Sequence, residues 1–241
     1  MYKAKSLADI KKFYDKHLTK HTPRKSSSHY QWILKLMHPK PSAFFLDVAC
    51  GAGFMVDEAK KAGLRAYGID ASPVAIELAR KNAPDTHLLI GDGENLPWPN
   101  DYFDYVTSLG SLEHYLHPEI GIREIRRVLK ADGLSCIMLP NSFSLKDIFR
   151  VIIRGGLDIG EQDFVERAGT KNEWVELIEK NGFRIIKSYK FNEAHSLFEK
   201  DTLKIKSLRK FTKSFFRNLV CPFNLAEHFV FLAVKKRNCY F

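Results

Sequence analysis

Three aspartates stand at regular stations in the first half of the chain. Each lies beside an apolar run short enough to be a strand: Asp47 in FFLDVACGAG, Asp70 in AYGID and Asp92 in HLLIGDGENLPWP. A glycine turn follows the first run, and helical spacing separates the runs from one another. Parallel strands joined this way need crossovers, and crossovers are right-handed, so the loops after successive strands gather at one sheet edge. The spacing therefore predicts a doubly wound α/β sheet with its acids at the carboxyl edge, where open α/β sheets take ligands.

Periodicity fills in the rest. Leu7, Ile10, Phe13 and Tyr14 predict a helix over 4–20, and Trp32, Ile33, Leu36 and Met37 a second over 29–38. Strands are predicted at 43–48, 65–69, 87–90, 105–109 and 134–139. Helices are predicted at 54–62, 73–82 and 118–129, the last ending in a turn at Lys130-Ala131-Asp132-Gly133. Beyond Asn141 the rhythm loosens: a helix over 143–153, a loop or lid over 156–169, then a helix capped by Thr170 with Glu173 three residues on. A strand at 183–189, a helix at 202–220 and a strand at 227–235 follow. The expected organisation is a single domain over 1–241. Residues 1–40 form a helical cap, and 142–170 and 190–225 are substrate-side insertions.

A chain of 241 residues with 45% apolar content can bury one sizeable core. Four cysteines without a CxxC pair fit a reducing compartment better than a zinc or disulfide framework. The first residues lack the continuous apolar segment of a signal peptide, and no run is long enough to span a bilayer. The expected location is cytoplasmic, with a peripheral association at the inner membrane face as an option. His17, His21, His29 and His38 form no metal-ligating set, nor do His195 and His228, so no metal is expected.

Gly51 and Gly53 allow a tight turn and close backbone approach, and the next helix start offers N–H groups to an anionic end of a ligand. Val56 stands where a pyrophosphate-binding G-x-G-x-x-G turn has its third glycine, so a nucleoside with few phosphates fits better. Asp70 is placed to accept from two ribose hydroxyls, with Ser72 and Pro73 opening the next helix and leaving the acid free. Asp92 is placed to accept from an adenine amino group, with Gly93 permitting close approach and Leu96, Pro97 and Trp98 forming an apolar wall. Asp47 either orients the glycine turn and offsets a positive ligand or braces backbone N–H groups. Asp104 is read as a structural brace for the next strand.

These motifs resemble the class I S-adenosylmethionine-dependent methyltransferases, in particular the broad small-molecule type 11 group. Asp47-Val48-Ala49-Cys50-Gly51-Ala52-Gly53 resembles the family's D-x-G-C-G-x-G, with Ala49 where glycine is commoner. Asp70 falls at the ribose-binding acid, and Asp92-Gly93-Glu94-Asn95-Leu96-Pro97 resembles the adenine-side motif. Arg127-Val128-Leu129-Lys130-Ala131-Asp132-Gly133 resembles the turn before strand five. The resemblance covers about residues 40–235. It implies a seven-stranded sheet whose last strand, 229–234, runs antiparallel between strands five and six. It also implies S-adenosyl-L-methionine as cofactor, with Asp47, Ala49, Cys50, Gly51, Gly53, Asp70, Ala71, Asp92, Gly93, Glu94 and Leu109 as the binding set.

Methyl transfer is an in-line displacement with the acceptor about 3–3.5 Å from the methyl carbon. A hydroxyl acceptor gains from a general base, and His114, on the loop after strand four, is the candidate, because a histidine is partly neutral at pH 7. Glu113 is the candidate to orient it or to bind an amine. Bracing the loop is the alternative role for either. Tyr14, Tyr115, His17 and His21 are secondary pocket candidates. The favoured acceptor is a small molecule methylated on oxygen. The alternatives are a lipid or quinone-like acceptor at a membrane surface and a noncatalytic cofactor-binding module.

The net charge is +10, and Lys200–Arg217 holds seven basic residues against one acid. Ile205, Leu208, Phe211, Phe215 and Leu219 make 202–220 amphipathic. The favoured reading is a helix over the active site with a solvated basic face. The next is contact with an anionic membrane surface. No motif supports nucleic-acid binding, and the pattern does not define an oligomeric state.

Overall fold

The structure, a computed structural model, describes residues 6–20, 27–155, 167, 169–192 and 221–236. Its centre is a seven-stranded sheet: β1 (Phe44–Val48), β2 (Arg65–Asp70), β3 (His87–Ile90), β4 (Phe103–Leu109), β5 (Leu129–Pro140), β6 (Phe183–Phe191) and β7 (His228–Lys235). The strand order is β3-β2-β1-β4-β5-β7-β6. β1 to β5 are mutually parallel, and β7 is antiparallel to both of its neighbours. This is the Rossmann-like topology expected of the resemblance, with the reversed strand in its expected place.

Period-two alternation divides the core between the two sheet faces. Leu46 and Val48, Ile137 and Leu139, and Phe229 and Phe231 pack on one face with Ile122, Ile125 and Ile178. Those last three come from α5 (Pro118–Val128) and α7 (Lys171–Lys180). Phe45, Cys136, Val230 and Leu232 pack on the other, against α2 (Ser27–Met37), α3 (Phe54–Lys61) and α4 (Pro73–Asn82). Helix starts follow their caps. Ser72 accepts from Ala75 N–H, and Thr170 and Glu173 form a reciprocal capping box.

Two expectations needed correction. The turn predicted at 130–133 is strand: β5 begins at Leu129, and its pairing with β4 shifts register between Phe103 and Tyr105. A bulge absorbs the extra residues, so the glycine in this segment marks an irregular strand rather than a stop. β4 likewise starts two residues before the predicted Tyr105. Asp104, read as a brace, accepts from Phe44 N–H at 2.8 Å and pairs with Lys130 at 2.7 Å, tying β1 to β5 across β4. The predicted helix at 202–220 and most of the predicted lid at 156–169 lie outside the described residues.

Candidate functional site

The loops after β1, β2, β3 and β4 meet at the carboxyl edge around a cavity of about 340 Å³. Asp47, Asp70 and Asp92 all reach its wall, with Ala49, Cys50 and Gly51 from the first loop. Ala71, Gly93, Glu94, Leu109 and His114 complete the sequence-chosen residues found there. Gly53 and Glu113 do not line it.

The first loop carries backbone strain. Ala49, Gly51 and Gly53 all have positive φ, at 58°, 51° and 78°. A Cβ on Gly51 would meet nothing, so that side of the turn is open. A Cβ on Gly53 would lie 2.8 Å from Ala79 Cβ, so this glycine serves the close packing of α3 on α4. Gly93 is also required by the protein itself, because a Cβ there would strike the Tyr115 hydroxyl.

Asp70 is not left free, contrary to the sequence expectation. Its Oδ2 accepts from Gly51 N–H at 2.8 Å and its Oδ1 from Ser72 N–H at 2.9 Å. Asp70, rather than Asp47, therefore holds the glycine turn. An ionised carboxylate has about four acceptor sites, so each oxygen keeps one for a ligand hydroxyl. Burial pushes its pKa up, partly countered by the Ser72 and Gly51 N–H groups.

Asp47 is buried at the cavity wall. Thr107 Oγ1 donates to its Oδ1 at 2.6 Å. Burial is the main reason that its pKa is pushed up to about 7; the Thr107 hydroxyl works against this, and Asp70 adds to it. A cation in the cavity would be favoured by Asp47 and would in turn favour its ionised form. Burial also raises the Cys50 thiol well above its ordinary value, helped by Asp47 and Asp70, so that thiol stays protonated.

On the adenine side, Asp92 Oδ1 accepts from Glu94 N–H, and Glu94 Oε1 accepts from His117 N–H, both at 2.9 Å. The apolar wall expected from Leu96, Pro97 and Trp98 does not line the cavity: Leu96 is buried in the core, Trp98 packs half-buried against it, and Pro97 is exposed. Arg127 fixes that loop by donating to the carbonyls of Leu96 and Trp98 while pairing with Glu124.

His114 ends a single 3-10 turn, Leu112–His114. Its ring faces the cavity, 5.8 Å from the Tyr14 ring in an edge-on arrangement. Glu113 points inward behind it, buried, with Oε1 3.9 Å from His114 Nε2. At that distance the two groups interact electrostatically without a hydrogen bond. Arg167, from the 142–170 insertion, braces this turn: its backbone N–H donates to Glu113 O at 3.0 Å, and its guanidinium to the carbonyls of Tyr115 and Leu116.

The N-terminal helix α1 (Leu7–Lys20) closes the mouth, with Leu7, Ile10 and Tyr14 in the wall and Asp15 accepting from the Ser72 hydroxyl. The side chains of His17 and His21 lie outside the described residues. Tyr30 from α2 also lines the cavity, a residue that the sequence did not single out. It belongs to the Tyr30, Ile33, Leu34, Met37 stripe of α2, which was the signal available. Burial, then Asp47, pushes its pKa up to about 12. The Tyr115 hydroxyl is buried at the cavity wall without a hydrogen-bond partner among the described residues. This orphaned donor, the open side of Gly51 and the spare acceptors of Asp70 fit a polar nucleoside ligand. Among the described residues no cluster of ligating side chains could hold a metal ion.

Residues 46–137 match a type 11 family model described as a methyltransferase domain. A 2-methyl-6-phytyl-1,4-hydroquinone methyltransferase of rice (Oryza sativa) is 33% identical over 49% of this chain and 34% of its own length. A demethylmenaquinone methyltransferase of Corynebacterium kroppenstedtii is 36% identical over 41% of this chain and 42% of its own. An uncharacterized protein of Methanocaldococcus jannaschii is 26% identical over 95% of this chain and 92% of its own. The matched stretch thus spans less than half the length of either quinone-type relative. Among solved structures, a chain of the complex between the Haloferax volcanii Trm112 methyltransferase activator and a methyltransferase superposes with a TM-score of 0.66. It is 16% identical, over 98% of this chain and all of that one. Residues 46–137 are thus similar to a type 11 methyltransferase domain, the sheet has the fold of S-adenosylmethionine-dependent methyltransferases, and S-adenosyl-L-methionine is the cofactor that this fold implies.

Proposed function

We propose that this protein methylates an apolar, quinol-like small molecule, with His114 as the base. The observation that carries the reading is one cavity lined by the Asp70 and Asp92 carboxylates and by the His114 imidazole, with Tyr14 beside His114 and Tyr30 and Leu109 also in its wall. The carboxylates suit a nucleoside, and the aromatic side chains suit a flat apolar acceptor. The quinone-type names of the partial relatives support the same acceptor class.

The cofactor supplies an electrophilic methyl group on a sulfonium. Asp70 would grip the ribose, Asp92 the adenine edge, and Asp47 would favour the positive charge. A hydroquinone offers phenolic oxygens and the ring carbons that they activate. Removal of one phenolic proton raises the nucleophilicity of both, so His114 serves transfer to oxygen or to carbon. The bound cofactor would supply the methyl group with its thioether as the leaving group, and the phenolic proton of the acceptor would end on His114. Glu113 interacts electrostatically with the imidazole, and α1 with Tyr14 excludes water.

The test uses methyl-labelled cofactor with a panel of demethylated quinols, simple phenols and amines, read by mass spectrometry. His114→Gln should keep affinity for S-adenosylhomocysteine and lower turnover on a quinol by about a hundredfold or more. Transfer to amines alone, or a His114→Gln enzyme as fast as wild type at saturating quinol, would defeat the proposal.

A further inference from the structure

Helix α6 (Leu145–Arg154) follows the carboxyl end of β5, on the same sheet edge as the cavity. It is a properly bounded helix. The Ser144 side chain accepts from Asp147 N–H at its start, and Gly155, at φ 74°, ends it. Yet its apolar side is bare: Phe149, Val151, Ile152 and Ile153 are all exposed, Ile152 by 71% and Ile153 by 77%, with Phe143 exposed just before the helix. Among the described residues it makes no extended packing against another element.

At about 100° per residue, Leu145, Ile148, Phe149, Val151, Ile152 and Ile153 share one continuous arc of the helix. In the sequence Lys146, Arg150 and Arg154 recur every fourth residue with Asp147 as the only acid; Lys146 pairs with Glu227 at 2.7 Å and Arg150 with Asp147 at 3.0 Å. A wide apolar face edged by cations, in a chain of net charge +10, matches the interfacial zone of an anionic bilayer: the apolar arc enters the acyl boundary and the cations remain at the headgroups. A protein partner would need a matching acidic rim. A second copy of this basic chain would bring positive charge against positive charge. The geometry points to α6 as a docking helix for an anionic membrane surface, one that holds the cavity edge at the lipid. The docking inference stands apart from the acceptor reading, since vesicle binding needs no substrate.

The experiment floats the full-length protein with vesicles of equimolar phosphatidylcholine and phosphatidylglycerol, and with phosphatidylcholine alone. Wild type should float with the anionic vesicles and not with the neutral ones. An Ile152→Asp/Ile153→Asp variant should lose about tenfold or more in partitioning while keeping its affinity for S-adenosylhomocysteine. The indole introduced by Phe149→Trp should shift its emission to the blue on vesicle addition and be quenched by brominated lipid. Four results would overturn the inference. The first is wild type that fails to float. The second is an aspartate variant that floats like wild type, which would assign binding to the basic 202–220 sequence instead. The third is an indole in the Phe149→Trp variant already shielded before lipid is added, which would mean that the chain itself covers α6. The fourth is wild type that sediments as a dimer abolished by the aspartate variant, which would make the face a contact between copies.

Discussion

Replacing Asp47 by asparagine tests the electrostatic design of the site. The unfolded carboxyl titrates near 3.8, whereas burial holds the folded one at about 7. Between those values the folded state binds a proton that the unfolded state has released, so stability falls as pH rises from about 4 to about 7 and is level above that. A difference of roughly three units corresponds to about 4 kcal/mol at most, and the residue is only 4% exposed, so solvent screening removes little of it. Asparagine keeps an oxygen to accept from Thr107 and carries no charge. Urea unfolding of both proteins from pH 4 to 9 should give a difference in stability that grows in the variant's favour through this window and plateaus above pH 7. Ionisations common to both proteins cancel in that difference. The functional counterpart has the opposite sign: the variant should lose affinity for the cationic cofactor while binding its uncharged demethylated product about as before. A stability difference independent of pH, or equal loss for both ligands, would refute the reasoning.

Asp70→Ala should weaken S-adenosylhomocysteine binding by about a hundredfold or more by calorimetry, because it removes two charge-assisted acceptors and releases the Gly51 N–H. Ala49→Gly relieves a left-handed residue at φ 58° and should raise stability by about 0.5–1 kcal/mol after the entropic cost of glycine, measured as the urea midpoint. Gly53→Ala, at φ 78° and against Ala79, should lower stability by about 2 kcal/mol in the same assay.

The sheet was legible because its hydrophobic periods alternate cleanly between two and 3.6 residues from Phe44 to Leu139. The start of β5 was not, since Lys130-Ala131-Asp132-Gly133 reads as a helix-ending turn and only pairing to β4 makes it strand. The three aspartates were found by their place at or just beyond the ends of strands, but their partners were not. Asp70 meets Gly51 nineteen residues away, Thr107 meets Asp47 sixty residues away, and Arg167 reaches the 113–116 turn from beyond fifty. No local pattern encodes such pairings. Gly53 and Gly93 show the converse: their chemistry was visible, but the need for them came from Ala79 and Tyr115, neighbours that only folding supplies.

The reversed strand governs how the molecule can be assembled. β5 and β6 do not pair with each other; β7 joins them, and its residues emerge from the ribosome only after both. Nascent chains shorter than about 228 residues therefore carry two bare sheet margins, while the ligand-binding half from β1 to β4 already has its full set of neighbours. Cofactor present during translation would meet a formed cradle before the sheet is sealed.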